Sequence, residues 1–285
     1  MTRYSMTPHI IDAFTTQPFH GNPAGVVLIQ GAYPPDGEMA ALAKELGFSE
    51  TAFVQPAGPE AFTLRYFTPT DEVDLCGHAT IASFHGLWKW GLVSPGHRYL
   101  AKTRAGSLAI RLDADGTVWM DMAPPQAVRD LSPLEVEALY GMFGLTSYRV
   151  RLFTPAIITT GLPDIMMPLP SRDALATLAP DLSAIARFSN HLGVVGVHAF
   201  VPGDETVTAY CRNFAPLFGI PEEAATGTAN GALTFYLYQH SVIAPNVVNC
   251  FIQGEAMGRP SRIYSCLSLE KGALQVRIGG QAVIR

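Results

Sequence analysis

Hydrophobic and polar positions alternate in many short runs of this chain, and such alternation is typical of β-strands that are buried on one face. The first two runs, residues 9–14 and 25–29, are separated by turn-forming residues and predict a strand pair. The pattern predicts further strands at 51–54, 62–67, 107–112, 117–122, 194–201, 207–212, 249–252, 261–264 and 274–278.

Two other segments, residues 79–90 and 231–240, are apolar on nearly every face of a helix. Such helices are normally buried in the centre of a domain, and glycines adjoin both segments. Four shorter helices with one apolar face are predicted at 38–46, 134–140, 172–178 and 182–187. Gly47 is a suitable left-handed residue to end the first of them.

The order of strand pair, helix, strands, buried helix and strands occurs approximately twice. In this scheme the helix start at 77–82 corresponds to the start at 227–232. We therefore predict an α/β (α+β) protein of two similar domains, residues 1–123 and 124–273, with the C-terminal strand 274–285 returning to the first. A ligand cleft is expected between them, because pockets favour domain interfaces.

Composition excludes several classes of protein. The 285 residues are 48% hydrophobic and 15% charged, which gives a sizeable core and argues against disorder. The net charge of −5 and the absence of a basic run argue against binding to nucleic acid or to an anionic membrane. No apolar run reaches the length of about 18 residues that a membrane helix needs. The N-terminus lacks the apolar stretch of a signal peptide, so a cytoplasmic location is expected.

Four cysteines are scattered along the chain, at Cys76, Cys211, Cys250 and Cys266. They form no CxxC pair and no closely spaced cluster with histidine, so neither a zinc site nor a disulfide framework is predicted. Cys76 precedes a helix start and is either a thiolate or, more commonly, a buried and inert thiol.

Candidate chemistry lies where the strands meet the two apolar helices. Gly77 and Gly227 each open a buried helix, whose first amide groups and dipole favour a bound anion, although glycine also simply permits a tight turn. Glu50 precedes an apolar strand and is either a partly desolvated general acid/base or a surface residue. His78 lies in the first turn, where the dipole favours a neutral imidazole that relays protons or only caps the helix.

Several sequence motifs together resemble the phenazine-biosynthesis PhzF-like family, which has the diaminopimelate epimerase fold. The matching segments extend over nearly the whole chain: 11–14 with 21–24, 49–54, 67–69 with 76–80, 212–216, 225–231, and 253–254 with 258–261.

This resemblance implies two similar domains, each a curled and mostly antiparallel sheet around a central helix. It also implies proton-shift chemistry without a cofactor or metal, and frequently a homodimer. Glu50 matches the catalytic acid/base of the family and His78 its proton relay. The positions expected to bind substrate are Asn22, Gly77, Gly227 and Thr228.

The chain departs from the family at one motif. Where the family usually has Glu-Asp-Pro-Ala-Thr-Gly, residues 222–227 read Glu-Glu-Ala-Ala-Thr-Gly, so Glu223 keeps the charge of the family's aspartate on a longer side chain. Thr226 also stands where two-cysteine racemases of this fold carry their second cysteine, which disfavours thiol-based racemisation.

The sequence therefore predicts a cofactor-independent isomerase of a small, anionic, carboxylate-bearing metabolite, with Glu50, His78 and Glu223 as catalytic residues. Two alternatives stay open. The chain could be a racemase or epimerase that uses Glu50 with another base, or a binding protein that retains the fold without turnover.

Overall fold

The computed structural model describes residues 6–145, 153–270 and 272–285. The chain divides into two compact units: unit 1 comprises residues 1–121 and 279–285, and unit 2 comprises residues 122–278. Residues 1–5, which include most of the segment that argued against a signal peptide, lie outside the described residues. None of the described helices has the length and apolarity needed to cross a membrane.

Unit 1 is a sheet packed around one buried helix. Its strands are β1 (Pro8–Ala13), β2 (Asn22–Leu28), β3 (Thr51–Pro56), β4 (Ala61–Phe67), β5 (Glu72–Val73), β6 (Arg98–Thr103), β7 (Gly106–Leu112), β8 (Val118–Asp121) and the C-terminal β18 (Ala282–Ile284). Its helices are α1 (Asp36–Leu46) and α2 (Gly77–Lys89). Ten of the thirteen residues of α2 are buried, and the helix contacts β1, β2, β3, β8 and β18.

Most strand pairs of unit 1 are antiparallel, and two are parallel. β3 runs parallel to β2 and antiparallel to β4, and β4 runs parallel to β6. The parallel β2–β3 pair is joined through α1, as a parallel connection requires. β18 pairs with β1, which brings the end of the chain back to the first strand.

Unit 2 repeats this plan. Its strands are β9 (Gln126–Asp130), β10 (Ala156–Thr159), β11 (Pro163–Pro168), β12 (Gly196–Pro202), β13 (Ala209–Ala215), β14 (Ile220–Glu223), β15 (Val248–Gln253), β16 (Ser261–Glu270) and β17 (Ala273–Gly280), whose last two residues count with unit 1. Its helices are α3 (Pro133–Met142), α4 (Arg172–Ala176), α5 (Leu182–Leu192) and the buried α6 (Gly227–Gln239).

The strand pairings of the two units correspond one to one. β11 and β12 are parallel like β2 and β3, β12 and β13 are antiparallel like β3 and β4, and β13 and β15 are parallel like β4 and β6. The helix α6 contacts β9, β10, β11 and β16 and buries eleven of its thirteen residues. The predicted fold class, two similar α/β units with mostly antiparallel sheets around a central helix, is confirmed.

Both buried helices begin at the glycines named from the sequence, Gly77 and Gly227, and so extend further towards the N-terminus than the apolar stretches 79–90 and 231–240. Their first turns contain Gly, Ala, Thr and Asn, whose helix propensity is mixed, so packing rather than local preference sets the boundary. The strands β5, β6, β9, β10, β11 and β14 were not predicted. β9 is exposed at all five positions and therefore lacks an apolar repeat.

The turn between β1 and β2 depends on Gly21. Its φ of +64° is in the left-handed region, and a Cβ atom there would lie 2.1 Å from the carbonyl oxygen of Ala13. Gly47, which ends α1, has nearly the same φ of +68° but no heavy atom within 4 Å of the corresponding position. An added Cβ atom would therefore cause backbone strain alone at Gly47, but both backbone strain and steric overlap at Gly21.

We expect Gly47→Ala to lower the free energy of unfolding by about 1 kcal/mol, which is the cost of a left-handed Cβ. Gly21→Ala should cost more than about 3 kcal/mol, because the backbone of β1 must also move. Urea denaturation of both variants measures the difference. Equal losses would show that the turn can relax around the added methyl group.

Asp164 on β11 is an isolated buried carboxyl group. Its side chain is 1% exposed, and in the described part of the chain its Oδ1 has no hydrogen-bond partner. Burial raises the pKa of Asp164 to about 7, against a smaller lowering by the backbone N–H of Gly196. His198 on β12 is also fully buried, and burial lowers its pKa to about 4.

These shifts predict opposite pH dependences. The folded state holds the Asp164 proton more tightly than the unfolded state does, so this stabilisation is complete below about pH 4 and is lost as the pH rises through about 7. Relative to wild type, Asp164→Asn should therefore gain on the order of 4 kcal/mol of stability between pH 4 and pH 8.

His198→Gln is the matched control, because the sign of its trend is reversed. The neutral His198 contributes stability above about pH 6.5 that is lost as the pH falls through about 4. Relative to wild type, this variant should lose stability as the pH rises across that window. Denaturation curves at several pH values test both trends, and parallel curves for wild type and Asp164→Asn would contradict the buried-carboxyl argument.

Candidate active site

Two elements of unit 1 bring Glu50 and His78 together. Glu50 is the last residue before β3, and its carbonyl oxygen accepts a 3.4 Å hydrogen bond from the backbone N–H of Gly25 on the parallel strand β2. His78 is the second residue of α2, which lies against both strands. The buried helix therefore holds the imidazole against the strand end that carries the carboxylate.

The side chains form a compact polar cluster. The Nε2 atom of His78 lies 3.4 Å from Oε2 of Glu50 and 3.4 Å from Oγ of Ser49. The thiol of Cys76 lies 3.4 Å from Nδ1 of the same imidazole. His78 is 3% exposed, whereas the Glu50 side chain keeps 13% of its surface accessible. The carboxylate is therefore the member of the pair that remains open to a ligand.

Burial lowers the pKa of His78, and the charge of Glu50 only partly opposes this effect. At neutral pH the imidazole is therefore neutral, with one nitrogen that donates and one that accepts a hydrogen bond. From the sequence, a neutral imidazole was expected because of the helix dipole, but the main cause of the lowered pKa is desolvation. A neutral imidazole beside a carboxylate can accept a proton and pass it on.

Cys76 is the N-cap residue of α2, is 6% exposed, and makes no side-chain capping bond. Asn22, an expected substrate-binding residue, is the first residue of β2 and is 4% exposed. The register of β2 and β3 places Asn22 at the same end of this strand pair as Glu50.

Within the described residues, Glu50, Cys76 and His78 also form the one group with metal-ligand atoms within 4.8 Å of one another.

The start of α6 in unit 2 carries a different set of groups. Thr226 takes the N-cap position that Cys76 has in unit 1, and it too makes no capping bond. Its hydroxyl instead donates a 2.6 Å hydrogen bond to Oε2 of Glu223. Gly227 and Thr228 follow as the first two residues of the helix, both buried. The three predicted site residues of unit 2 therefore surround one helix start.

Gln253, at the end of β15, is a site residue that the sequence analysis missed. It is fully buried, and its amide nitrogen donates to the carbonyl of Glu223 at 2.7 Å and to the hydroxyl of Thr226 at 3.1 Å. Its oxygen accepts from the backbone N–H of Thr226 and from the side chain of Asn230. Gln253 thus fixes Glu223 against the start of α6. The only sequence signal was its place in a motif of the family resemblance.

An ion pair is repeated next to both helix starts. Arg65 on β4 donates two hydrogen bonds to Glu72 on β5, and Arg212 on β13 donates two to Glu222 on β14, all between 2.6 and 2.8 Å. The hydrogen bonds from Arg65 hold the pKa of Glu72 below its usual value. Each pair joins the short strand before a helix start to the sheet, so these acids are structural.

Comparison with known proteins places this geometry in a family. The profile of the family described as "Phenazine biosynthesis-like protein" matches residues 11–285. An "Uncharacterized isomerase" of Deinococcus radiodurans is 36% identical over 100% of this chain and 93% of its own length. The trans-2,3-dihydro-3-hydroxyanthranilate isomerase of Pseudomonas fluorescens is 30% identical, over 90% of this chain and 88% of its own.

Solved structures give the same result. The crystal structure of a phenazine biosynthesis protein of the PhzF family from Bacillus anthracis superposes with a TM-score of 0.87 and 27% identity, and covers 97% of this chain and 96% of its own. Because relatives across nearly the full length are named isomerases, the comparisons support an isomerase in general.

We expect Gln253→Glu to destabilise unit 2. The change keeps the size of the side chain but removes the two N–H donors that satisfy the carbonyl of Glu223 and the hydroxyl of Thr226. Removing these donors from the fully buried Gln253 should cost about 2–3 kcal/mol. Gln275→Glu is the matched control. The side chain of Gln275 likewise donates two hydrogen bonds, in its case both to backbone carbonyls, but it is only half-buried. Thermal denaturation compares them, and equal losses would argue against the anchoring role of Gln253.

Proposed function

Because this chain belongs to the phenazine biosynthesis-like family, we propose that it is a cofactor-independent isomerase that moves a proton between two carbons of a small carboxylate-bearing metabolite. One observation carries the proposal. A partly accessible carboxylate, Glu50, lies 3.4 Å from a buried imidazole whose pKa is lowered by desolvation. This pair can take up a proton and return it without help from a cofactor.

The proposed step is balanced within substrate and protein. The carboxylate of Glu50 removes a proton from a carbon next to an unsaturated or carbonyl group, so that a C–H bond breaks and an O–H bond forms. The electron pair moves into the substrate and shifts its double bond. The O–H bond of Glu50 then breaks as a new C–H bond forms at another carbon, and nothing is oxidised or reduced.

His78 would act as the relay in this scheme. Its Nε2 lies within reach of both Glu50 and Ser49, so a proton can leave or enter the carboxyl group through the imidazole. The first-turn amide groups of α2, which begins at Gly77, would hold the anionic group of the substrate, because the N-cap residue supplies no side-chain acceptor.

The remaining site assignments rest on the family resemblance. We assign substrate contacts to Asn22 in unit 1 and to Gly227 and Thr228 in unit 2, and a proton-handling or orienting role to Glu223. The bonds from Thr226 and Gln253 hold Glu223 in one orientation, which suits either role. Self-association as a homodimer and a cytoplasmic location stay predictions.

The name of one relative supports the proposed substrate class. The Pseudomonas fluorescens protein is named for trans-2,3-dihydro-3-hydroxyanthranilate, which carries a carboxylate, so this compound is a suitable first probe. The change from aspartate to the longer Glu223 moves the carboxylate further from the backbone. A substrate that places its polar group differently is therefore favoured. A panel of small unsaturated carboxylates in deuterated water would therefore extend the first probe.

Glu50→Gln tests the proposal directly, because it removes the proton carrier and keeps the size of the side chain. We expect turnover and solvent-deuterium incorporation to fall by at least about 10²–10⁴-fold, the usual contribution of general acid–base catalysis. Stability should change by no more than about 0.5 kcal/mol, as at other non-core positions. Mass spectrometry of the ligand, with a melting curve, measures both effects. Near-wild-type exchange in folded Glu50→Gln would show that another group carries the proton.

Cys76→Ala is the control for thiol chemistry in the same cluster. The proton-shift scheme does not use the thiol, so this variant should lose less than about tenfold in exchange. A loss on the order of a thousandfold, about 4 kcal/mol of barrier, would instead favour a cysteine-based racemase. Analysis of product chirality separates an epimerase from a double-bond isomerase. A binding protein without turnover would bind the probes but incorporate no deuterium.

A further inference from the structure

The cluster at the start of α2 combines three different metal-ligating atoms. A carboxylate oxygen of Glu50, the thiol of Cys76 and an imidazole nitrogen of His78 all lie within 4.8 Å of one another. The Nε2 of His78 is 3.4 Å from the carboxylate oxygen and 3.9 Å from the sulfur. The sequence alone does not predict this group, because its members come from two separate segments and lack a zinc-finger spacing.

These distances are close to those between zinc ligands. Bond lengths of about 2.0–2.3 Å in a tetrahedral arrangement place neighbouring ligand atoms about 3.3–3.7 Å apart. Side-chain rotations that bring these atoms, now within 4.8 Å of one another, to such separations would complete the site. The Oε2 atom of Glu50 is buried and accepts no hydrogen bond within the described residues, so it can turn towards a cation.

The donor set selects the class of metal. One sulfur, one nitrogen and one oxygen suit Zn²⁺, whereas Mg²⁺ and Ca²⁺ require oxygen ligands. The equivalent helix start in unit 2 offers Thr226 and Thr228 in place of Cys76 and His78, so it lacks both the thiol and the imidazole. The asymmetry between the units predicts binding at one of them.

We propose that Glu50, Cys76 and His78 form an inhibitory Zn²⁺ site in unit 1, with the fourth position of the metal open to water or to a ligand carboxylate. Binding uses the carboxylate and imidazole lone pairs that the proposed reaction needs for proton transfer. Zinc and catalysis therefore exclude each other, and removal of zinc should restore rather than abolish turnover. The site itself depends only on geometry, and its inhibitory effect rests on the proposed function.

Binding is tested without any substrate, on the chelator-treated full-length protein. Addition of Co²⁺, which replaces zinc and is coloured, should give a thiolate-to-cobalt absorption band that saturates at one equivalent and disappears when Zn²⁺ is added. Mg²⁺ should not compete. Cys76→Ser should abolish the band. Cys250→Ser should retain it, because Cys250 lies on β15 in unit 2, beside Arg262.

Affinity gives a second measurement. Competition with a chromophoric chelator should show that Cys76→Ser binds Zn²⁺ at least about 100-fold more weakly, since even partners of metal ligands contribute about 10–100-fold. Glu50→Gln, which keeps the thiol and the imidazole, should weaken binding at least about tenfold and serves if Cys76→Ser fails to fold. A cobalt band that survives Cys76→Ser, or equal zinc affinity in Glu50→Gln and wild type, would overturn the site.

The inhibition experiment separates this inference from the proposed function. With a probe that the protein turns over, Zn²⁺ should stop deuterium incorporation at one equivalent, and chelation should restore it. Turnover that continues with zinc bound at the cluster would refute inhibition. Zinc binding without turnover of any probe would leave the site in place and count against the isomerase. Turnover without zinc binding would support the isomerase and overturn the zinc site.

Discussion

Burial of one apolar helix inside each sheet is the constraint on which the rest of this protein depends. The helices α2 and α6 are surrounded by strands, so their first turns cannot shift without displacing the core. Whatever side chain stands at the helix start is therefore held in a fixed place. In unit 1 this constraint holds the imidazole of His78 against Glu50, and in unit 2 it holds Thr226 against Glu223.

The same burial sets the chemistry of the imidazole. A histidine at an exposed helix start would titrate near neutral pH, whereas the desolvated His78 stays neutral there and can act as a relay beside Glu50. Its neighbours Ser49 and Cys76 give it further polar contacts at 3.4 Å. The proposed proton relay and the proposed zinc site both depend on these contacts.

The two units show how one plan can diverge. The strand pairings, the buried helix and the bidentate Arg–Glu pair are present in both, with Arg65–Glu72 matched by Arg212–Glu222. These features maintain the scaffold. The residues at the helix starts differ: Cys76 and His78 in unit 1 are replaced by Thr226 and Thr228 in unit 2. In the strand register, Gly196 of unit 2 takes the place of Glu50, so unit 2 has no carboxylate at this position.

The sequence by itself determined the fold class, the two apolar helices and the candidates Glu50 and His78. Alternation and apolar periodicity are local properties that a strand or helix carries wherever it packs. Tertiary structure alone decided that the first turn of α2 meets Glu50, because the two come from separate segments of the chain. It also decided that Gln253 anchors Glu223, since that contact spans thirty residues. Finally, it decided that burial rather than the helix dipole governs His78, because desolvation depends on every element around the imidazole.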